Sequence, residues 1–187
     1  MKVFNQVKDP VFVNDKMLIS HAFQLESFLH PNSDSNSSIQ YILPSDVIMI
    51  VEKTKELFVI FYYPNCPSAE SYFQLAKAAE DKNIPVLLLS FFNNPHRMKE
   101  WYSKIELKNK NLYIIPSSDS FDARTFTKVI QFVAQVCPSS YEKYRDELKS
   151  TDYILIKNNE CQLNFVDTIY GAEDGLEWLE AKLLESK

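Results

Sequence analysis

Two stretches of the chain carry apolar residues with almost no polar interruption: "LFVIFYY" at 57–63 and "IPVLLLSFF" at 84–92. Runs of this length, rich in β-branched and aromatic residues, predict strands covered on both faces. Between them, from Pro67 to about Asp81, the apolar positions Phe73, Ala76 and Ala79 recur at helical spacing, so the segment predicts a helix with its inner face on the two strands. Strand, helix, strand in that order predicts a parallel pair joined by a right-handed crossover.

Periodicity extends the pattern in both directions. Upstream, "VFV" is a short extended piece, and a helix from about Met17 to Leu29 places Leu18, Ala22, Leu25 and Leu29 on one face before stopping at Pro31. The polar run "PNSDSNSS", 31–38, predicts a loop, because its Ser and Asn side chains bond locally to the backbone. "IQYIL" (39–43) is followed by a short helix to about Lys55, opened by Pro44 with Ser45 as N-cap. Downstream, helical spacing covers 94–107, "NLYIIP" (111–116) is strand-like, and Asp122 caps a helix to about Val136 with Phe126, Val129, Ile130 and Val133 as its stripe. Pro138 starts another helix, to Lys149. Then "DYILIK" and "ECQLNFVD" flank Asn158 and Asn159, residues that accept the positive φ of a tight turn, and predict a hairpin. A last helix from about Ala172 to Glu185 buries Leu176, Trp178, Leu179 and Leu183.

Composition narrows the functional classes. The 187 residues are 45% hydrophobic and 13% aromatic, enough for one folded domain with a full core. A net charge of −5 opposes a nucleic-acid surface. The densest basic stretch, Lys104, Lys108 and Lys110, is broken by Glu106 and suits a solvated helix end, and the pairs Glu80/Asp81 and Asp146/Glu147 suit solvated faces. No run reaches a membrane span, and "MKVFNQVKDP" lacks the apolar centre of a signal peptide. The expected location is therefore cytoplasmic, or periplasmic or otherwise extracytoplasmic if a signal segment has been trimmed. His21, His30 and His96 share no metal-ligand spacing, and with Gly171 and Gly175 as its two glycines the chain has no phosphate-cradling loop. Neither a metal nor a nucleotide cofactor is expected.

The remaining chemistry rests on cysteine. Cys66, Cys137 and Cys161 are odd in number and widely spaced, which is not a disulfide scaffold. Cys66 lies in "FYYPNCPSAES", 61–71, with Pro67 suited to the first helical position. A cysteine just ahead of a helix faces unpaired backbone N–H groups and the positive end of the dipole, which favour its thiolate, and Ser68 is a candidate donor to it. The competing reading is a packed, inert corner residue. Cys137, before Pro138, is a helix-boundary residue or a distant resolving thiol, and Cys161 falls in a strand as a core residue. Tyr62, Tyr63 and Tyr72 either line a groove or fill the core.

"ELFVIFYYPNCPSAESYFQLAKAAEDKNIPVLLLSF" resembles the segment of thioredoxin-like, TlpA-type thiol-disulfide oxidoreductases that carries their Cys-x-x-Cys pair, and "DYILIKNNECQLNFVD" resembles their closing hairpin. The resemblance implies a thioredoxin-like α/β fold, a central mixed sheet flanked by helices. It implies a domain over 57–187 with a helical insertion at about 108–150, and an N-terminal extension, 1–56, packed on the core. Against the family pattern, Ala69 stands at the second cysteine, Asn65 at the preceding tryptophan, Ile60 at the buried carboxylate, and Thr151 with Asp152 where a cis-proline faces the cysteines. What remains is a degenerate, single-cysteine (CxxA) site. Cys66 is its nucleophile, Pro67 and Ser68 support it, and Tyr63, Asn65 and Thr151 line the substrate groove. The activity implied is monothiol redox or thiol-modification chemistry with a protein or low-molecular-weight thiol partner. The alternative is a catalytically silent thioredoxin-fold module that binds a peptide or protein.

Overall fold

The computed structural model describes residues 23–31, 39–92, 94–104, 106–109, 111–116, 125–145, 152–164 and 172–185. In chain order the elements are α1 (Leu25–Leu29), β1 (Ile39–Tyr41), α2 (Pro44–Thr54), β2 (Glu56–Tyr62), α3 (Ala69–Asp81), β3 (Val86–Ser90) and α4 (Pro95–Lys104). They continue with β4 (Leu112–Ile114), α5 (Thr125–Val136), α6 (Pro138–Tyr144), β5 (Tyr153–Lys157), β6 (Glu160–Leu163) and α7 (Ala172–Glu185). The six strands form one sheet in the order β1-β4-β3-β2-β5-β6.

The two apolar runs become the centre of that sheet. β2 and β3 pair in parallel, Phe58 opposite Val86 through Tyr62 opposite Ser90, and β5 lies antiparallel on the other side of β2. Side chains alternate between two cores, as period-2 geometry requires. Leu57, Val59 and Phe61 face one core with Leu87, Leu89, Ile154 and Ile156, beneath α2 and α5. Phe58, Ile60 and Tyr62 face the other with Val86, Leu88, Tyr153 and Leu155, beneath α3, α4 and α7. Helices on both faces of a mixed sheet, with the cysteine loop between β2 and α3 and a hairpin followed by α7, give the α/β arrangement expected from the sequence, a central mixed sheet flanked by helices.

Local chemistry explains most of the boundaries. Phe73, Ala76 and Ala79 are all fully buried, as their spacing predicted. Asn158 and Asn159 take φ of 52° and 65° and close the β5–β6 turn, with Lys157 opposite Glu160. In a chain with two glycines, asparagine supplies three of the four positive-φ residues described, Asn83 being the third. Gly175 packs closely on Leu75: a Cβ there would sit 2.6 Å from Leu75 Cδ2, so a larger residue would force that buried side chain to shift.

Several expectations are corrected. Ser45 is not the N-cap of α2. The helix begins at Pro44, and the Leu43 N–H is held by Asp46 Oδ2 at 2.8 Å. Glu80 is not on a solvated face. It is 8% exposed and accepts the Lys108 N–H at 2.8 Å, while its neighbour Asp81 is exposed and pairs with Lys77. Within the stretch expected as an N-terminal extension, β1 pairs in parallel with β4 and forms one edge of the sheet. The expected cap Asp122, Asp146 and Glu147, and the start of the first helix lie outside the described residues. No helix among the described residues is long and apolar enough to cross a membrane.

Candidate functional site

The candidate site forms where β2 leaves the sheet. The Cys66 N–H donates to Tyr63 O at 3.0 Å, the Ala69 N–H to Cys66 O at 3.0 Å, and the Ser71 N–H to Ser68 O at 3.1 Å. These successive tight turns hold Pro67 and Ser68 ahead of the helix, which starts at Ala69. Pro67 is therefore not the first helical residue, a correction to the sequence expectation. The cause is the pair of three-residue-spaced bonds from Ala69 and Ser71, which tighten the entry to α3. Cys66 is a half-buried free thiol with its Sγ 2.9 Å from Ser68 Oγ.

α4 fixes the loop. The Trp101 Nε1–H donates to Pro64 O at 3.0 Å, and Asn94 Nδ2 donates to Asn65 Oδ1 at 2.8 Å while Asn65 Nδ2 donates to Tyr63 Oη at 3.3 Å. Tyr63 is further held by Phe91, stacked at 6.1 Å, and by Phe92, edge-on at 5.2 Å. Asn65 and Pro67 are exposed and Tyr63 is half-buried. Tyr63, Asn65, Cys66, Pro67 and Ser68 thus form one contiguous rim. Thr151, the remaining predicted site residue, lies outside the described residues.

Its neighbour Asp152 reaches the same end of the sheet. The Phe61 N–H donates to Asp152 O at 2.8 Å, and the Tyr72 hydroxyl donates to Asp152 Oδ1 at 3.3 Å. Burial pushes the Asp152 carboxyl up to about 6, with the Tyr72 hydrogen bond opposing. The Tyr72 hydroxyl is raised as well, first by burial, then by Asp152 and, more weakly, by Cys66, so Tyr72 stands within electrostatic reach of the thiol. Ala69 and Ile60 are both fully buried and apolar. The second-thiol position and the buried-carboxylate position of the family pattern are thus core in this chain, and the titratable carboxyl comes from the approach to β5.

Sequence reasoning missed Trp101 and Asn94. Trp101 carries a helical stripe with Met98, but its bond to a carbonyl 37 residues earlier has no local signal. Cys137 and Cys161 do not join the site. They are bonded to each other, S–S 2.12 Å, in the core beneath α2 and α5. This corrects the reading of Cys137 as a resolving thiol for Cys66, while its place at a helix boundary holds, since it directly precedes α6. Cys161 falls in a strand as expected, but it is half-buried and cross-linked rather than a buried core residue.

The Asp152 shift has a consequence for stability. A carboxyl raised from about 3.9 unfolded to about 6 folded adds stability that is fully present below the lower value and lost as pH rises through the higher one. Asp152→Asn should remove that loss. Relative to wild type, the variant gains about 1–2 kcal/mol between pH 4 and pH 7, discounted for partial exposure of the side chain. Urea denaturation of both proteins at the two pH values checks it. A wild-type-to-variant difference that does not change with pH would refute the assignment.

No protein-family model matches the chain, and no curated protein matches it. Among solved structures it is similar to a secreted Mycobacterium tuberculosis disulfide oxidoreductase homologous to E. coli DsbE, known at 1.1 Å. The identity is 15% and the TM-score 0.38, with 68% of this chain and 82% of that one covered.

Proposed function

We propose that this is a thioredoxin-fold thiol protein that works through one cysteine, Cys66. The supporting observation is a half-buried free thiol with a hydroxyl at 2.9 Å, on a loop tied down by α4, while the other two cysteines are bonded to each other. The Cys66 thiolate attacks one sulfur of an external disulfide. A mixed disulfide forms on Cys66 and the other half leaves as a thiolate that takes up a proton. With no second thiol beside it among the described residues, Cys66 is freed when an external thiol attacks the mixed disulfide. The partner is a protein thiol or a low-molecular-weight thiol. A Ser68 O–H directed at sulfur stabilises Cys66 both as attacking and as leaving thiolate. The Cys137–Cys161 bond supports an oxidising, extracytoplasmic setting.

Oxidised glutathione provides the test. Wild type should gain one glutathione by mass, on Cys66, and Cys66→Ala none. Insulin reduction in dithiothreitol should be faster with wild type than with Cys66→Ala, and equal rates remove the enzymatic reading. Ser68→Ala should slow glutathionylation roughly fivefold, the equivalent of one hydrogen bond of about 1 kcal/mol.

A second reading, a catalytically silent module for a peptide or protein, is favoured by the half-buried Tyr63 and Phe92 rings beside exposed Asn65 and Pro67. It predicts that Cys66→Ala retains partner affinity while Tyr63→Ala loses it.

A further inference from the structure

The Cys137–Cys161 disulfide lies on β6, the last strand of the sheet among the described residues, near the Leu57 end of β2 and away from Cys66. In the β5–β6 hairpin the pair beside the two-residue turn, Lys157 and Glu160, is a hydrogen-bonded pair, and bonded pairs recur at every second position. Leu155 with Gln162 follows, then Tyr153 with Asn164, whose N–H donates to Tyr153 O at 3.1 Å. Cys161 and Leu163 fall between these pairs, so their N–H and C=O groups point away from β5, toward the side of β6 on which no further strand lies among the described residues.

At Cys161 that edge is covered by α6. Ser140 Oγ donates to Cys161 O at 2.8 Å, and the disulfide attaches the residue just before the helix. α6 itself is short, seven residues, and none of them is fully buried. Tyr141 and Tyr144 rest half-buried against the core. A helix of this length has little stability of its own. Its hold on β6 therefore depends heavily on the covalent link.

We propose that Cys137–Cys161 is a reducible clasp that keeps α6 over the edge of β6, and that a dithiol reductant opens it without unfolding the sheet. Cys161 is half-buried and Cys137 is 2% exposed, so the attack falls on Cys161 Sγ. A thiolate of the dithiol bonds to that sulfur, the S–S bond breaks, and Cys137 leaves as a thiolate and takes up a proton. The second thiol of the reductant then displaces Cys161, which also becomes a thiol, and the reductant ends as its cyclic disulfide. α6 loses its tether, and the outward carbonyl of Cys161, held by Ser140 before reduction, becomes available to an added strand.

The test uses the full chain treated with dithiothreitol at neutral pH and then alkylated with iodoacetamide under native conditions. All three cysteines are expected to be labelled while the far-ultraviolet circular dichroism is kept. Cys137, buried before reduction, should react at a rate that stays flat across urea concentrations below the unfolding transition, the mark of local opening. Labelling confined to Cys66, loss of the dichroism signal, or a Cys137 rate that climbs with urea along the global unfolding slope would each overturn the proposal. Readings at Cys137 and Cys161 are independent of whether Cys66 reacts with disulfides.

Discussion

Trp101→Ala is expected to lower stability by about 3–5 kcal/mol, the cost of deleting a large buried aromatic side chain, and to free the Cys66 loop. Trp101 is 5% exposed, stacks on Phe73 at 6.3 Å, and lies under two cations, Arg97 at 5.3 Å and Lys104 at 4.4 Å from the ring. Its indole N–H is the donor to Pro64 O, a carbonyl of a buried residue two positions before Cys66. The alanine variant leaves a cavity and strips that carbonyl of its partner at once. Trp101→Phe separates the two effects, because the ring remains and the donor goes. It should cost about 1–3 kcal/mol, the penalty for one buried acceptor left unsatisfied. Urea denaturation measures both, and iodoacetamide labelling of Cys66 should quicken in each variant as the loop loosens. Unchanged labelling in the alanine variant would show that α4 does not position the thiol.

The contrast between Trp101 and the elements that local pattern did reveal shows what a single sequence carries. The hairpin was legible because Asn158 and Asn159 are the residue type that takes positive φ, and they do so at 52° and 65°. The last helix was legible from its apolar spacing and runs over Ala172–Glu185. The parallel β2–β3 pair followed from two uninterrupted apolar runs with a helix between them. Each of these is a statement about neighbours within one element or one connection. The strand order was not legible in the same way, since β1 pairs with β4 across about seventy residues and no local preference specifies that partner.

The site divides along the same line. Ser68 lies two residues from Cys66 and its oxygen was foreseeable as a partner for the sulfur. Tyr72 and Asp152 are 80 residues apart and meet because α3 and the approach to β5 both flank β2. Pro67 misled because proline tolerates the first helical position and a preceding tight turn equally well. The carbonyls of Cys66 and Ser68, both already bonded, decide for the turn. Glu80 misled because its neighbours Lys77 and Asp81 form the ordinary i,i+4 surface pair, while Glu80 itself turns inward to the Lys108 N–H.

Replacing both Cys137 and Cys161 with alanine should lower stability by about 3 kcal/mol, the loop-closure entropy that a cross-link of this span removes from the unfolded chain. The two residues are 24 apart in sequence, and the bond joins the end of α5 to an edge strand. Loss of the link relaxes the unfolded ensemble, so the denaturant midpoint should fall, and the slope should rise because the freer unfolded chain exposes more surface. Cys66→Ala, which removes a half-buried thiol outside both cores, should change stability by less than about 1 kcal/mol. The comparison isolates the cross-link from the mere deletion of sulfur. Reducing wild type with dithiothreitol should reproduce the midpoint of the double variant, because both lack the same covalent constraint. A double variant as stable as wild type would mean that the two cysteines are not joined in solution, and the clasp over β6 would go with them.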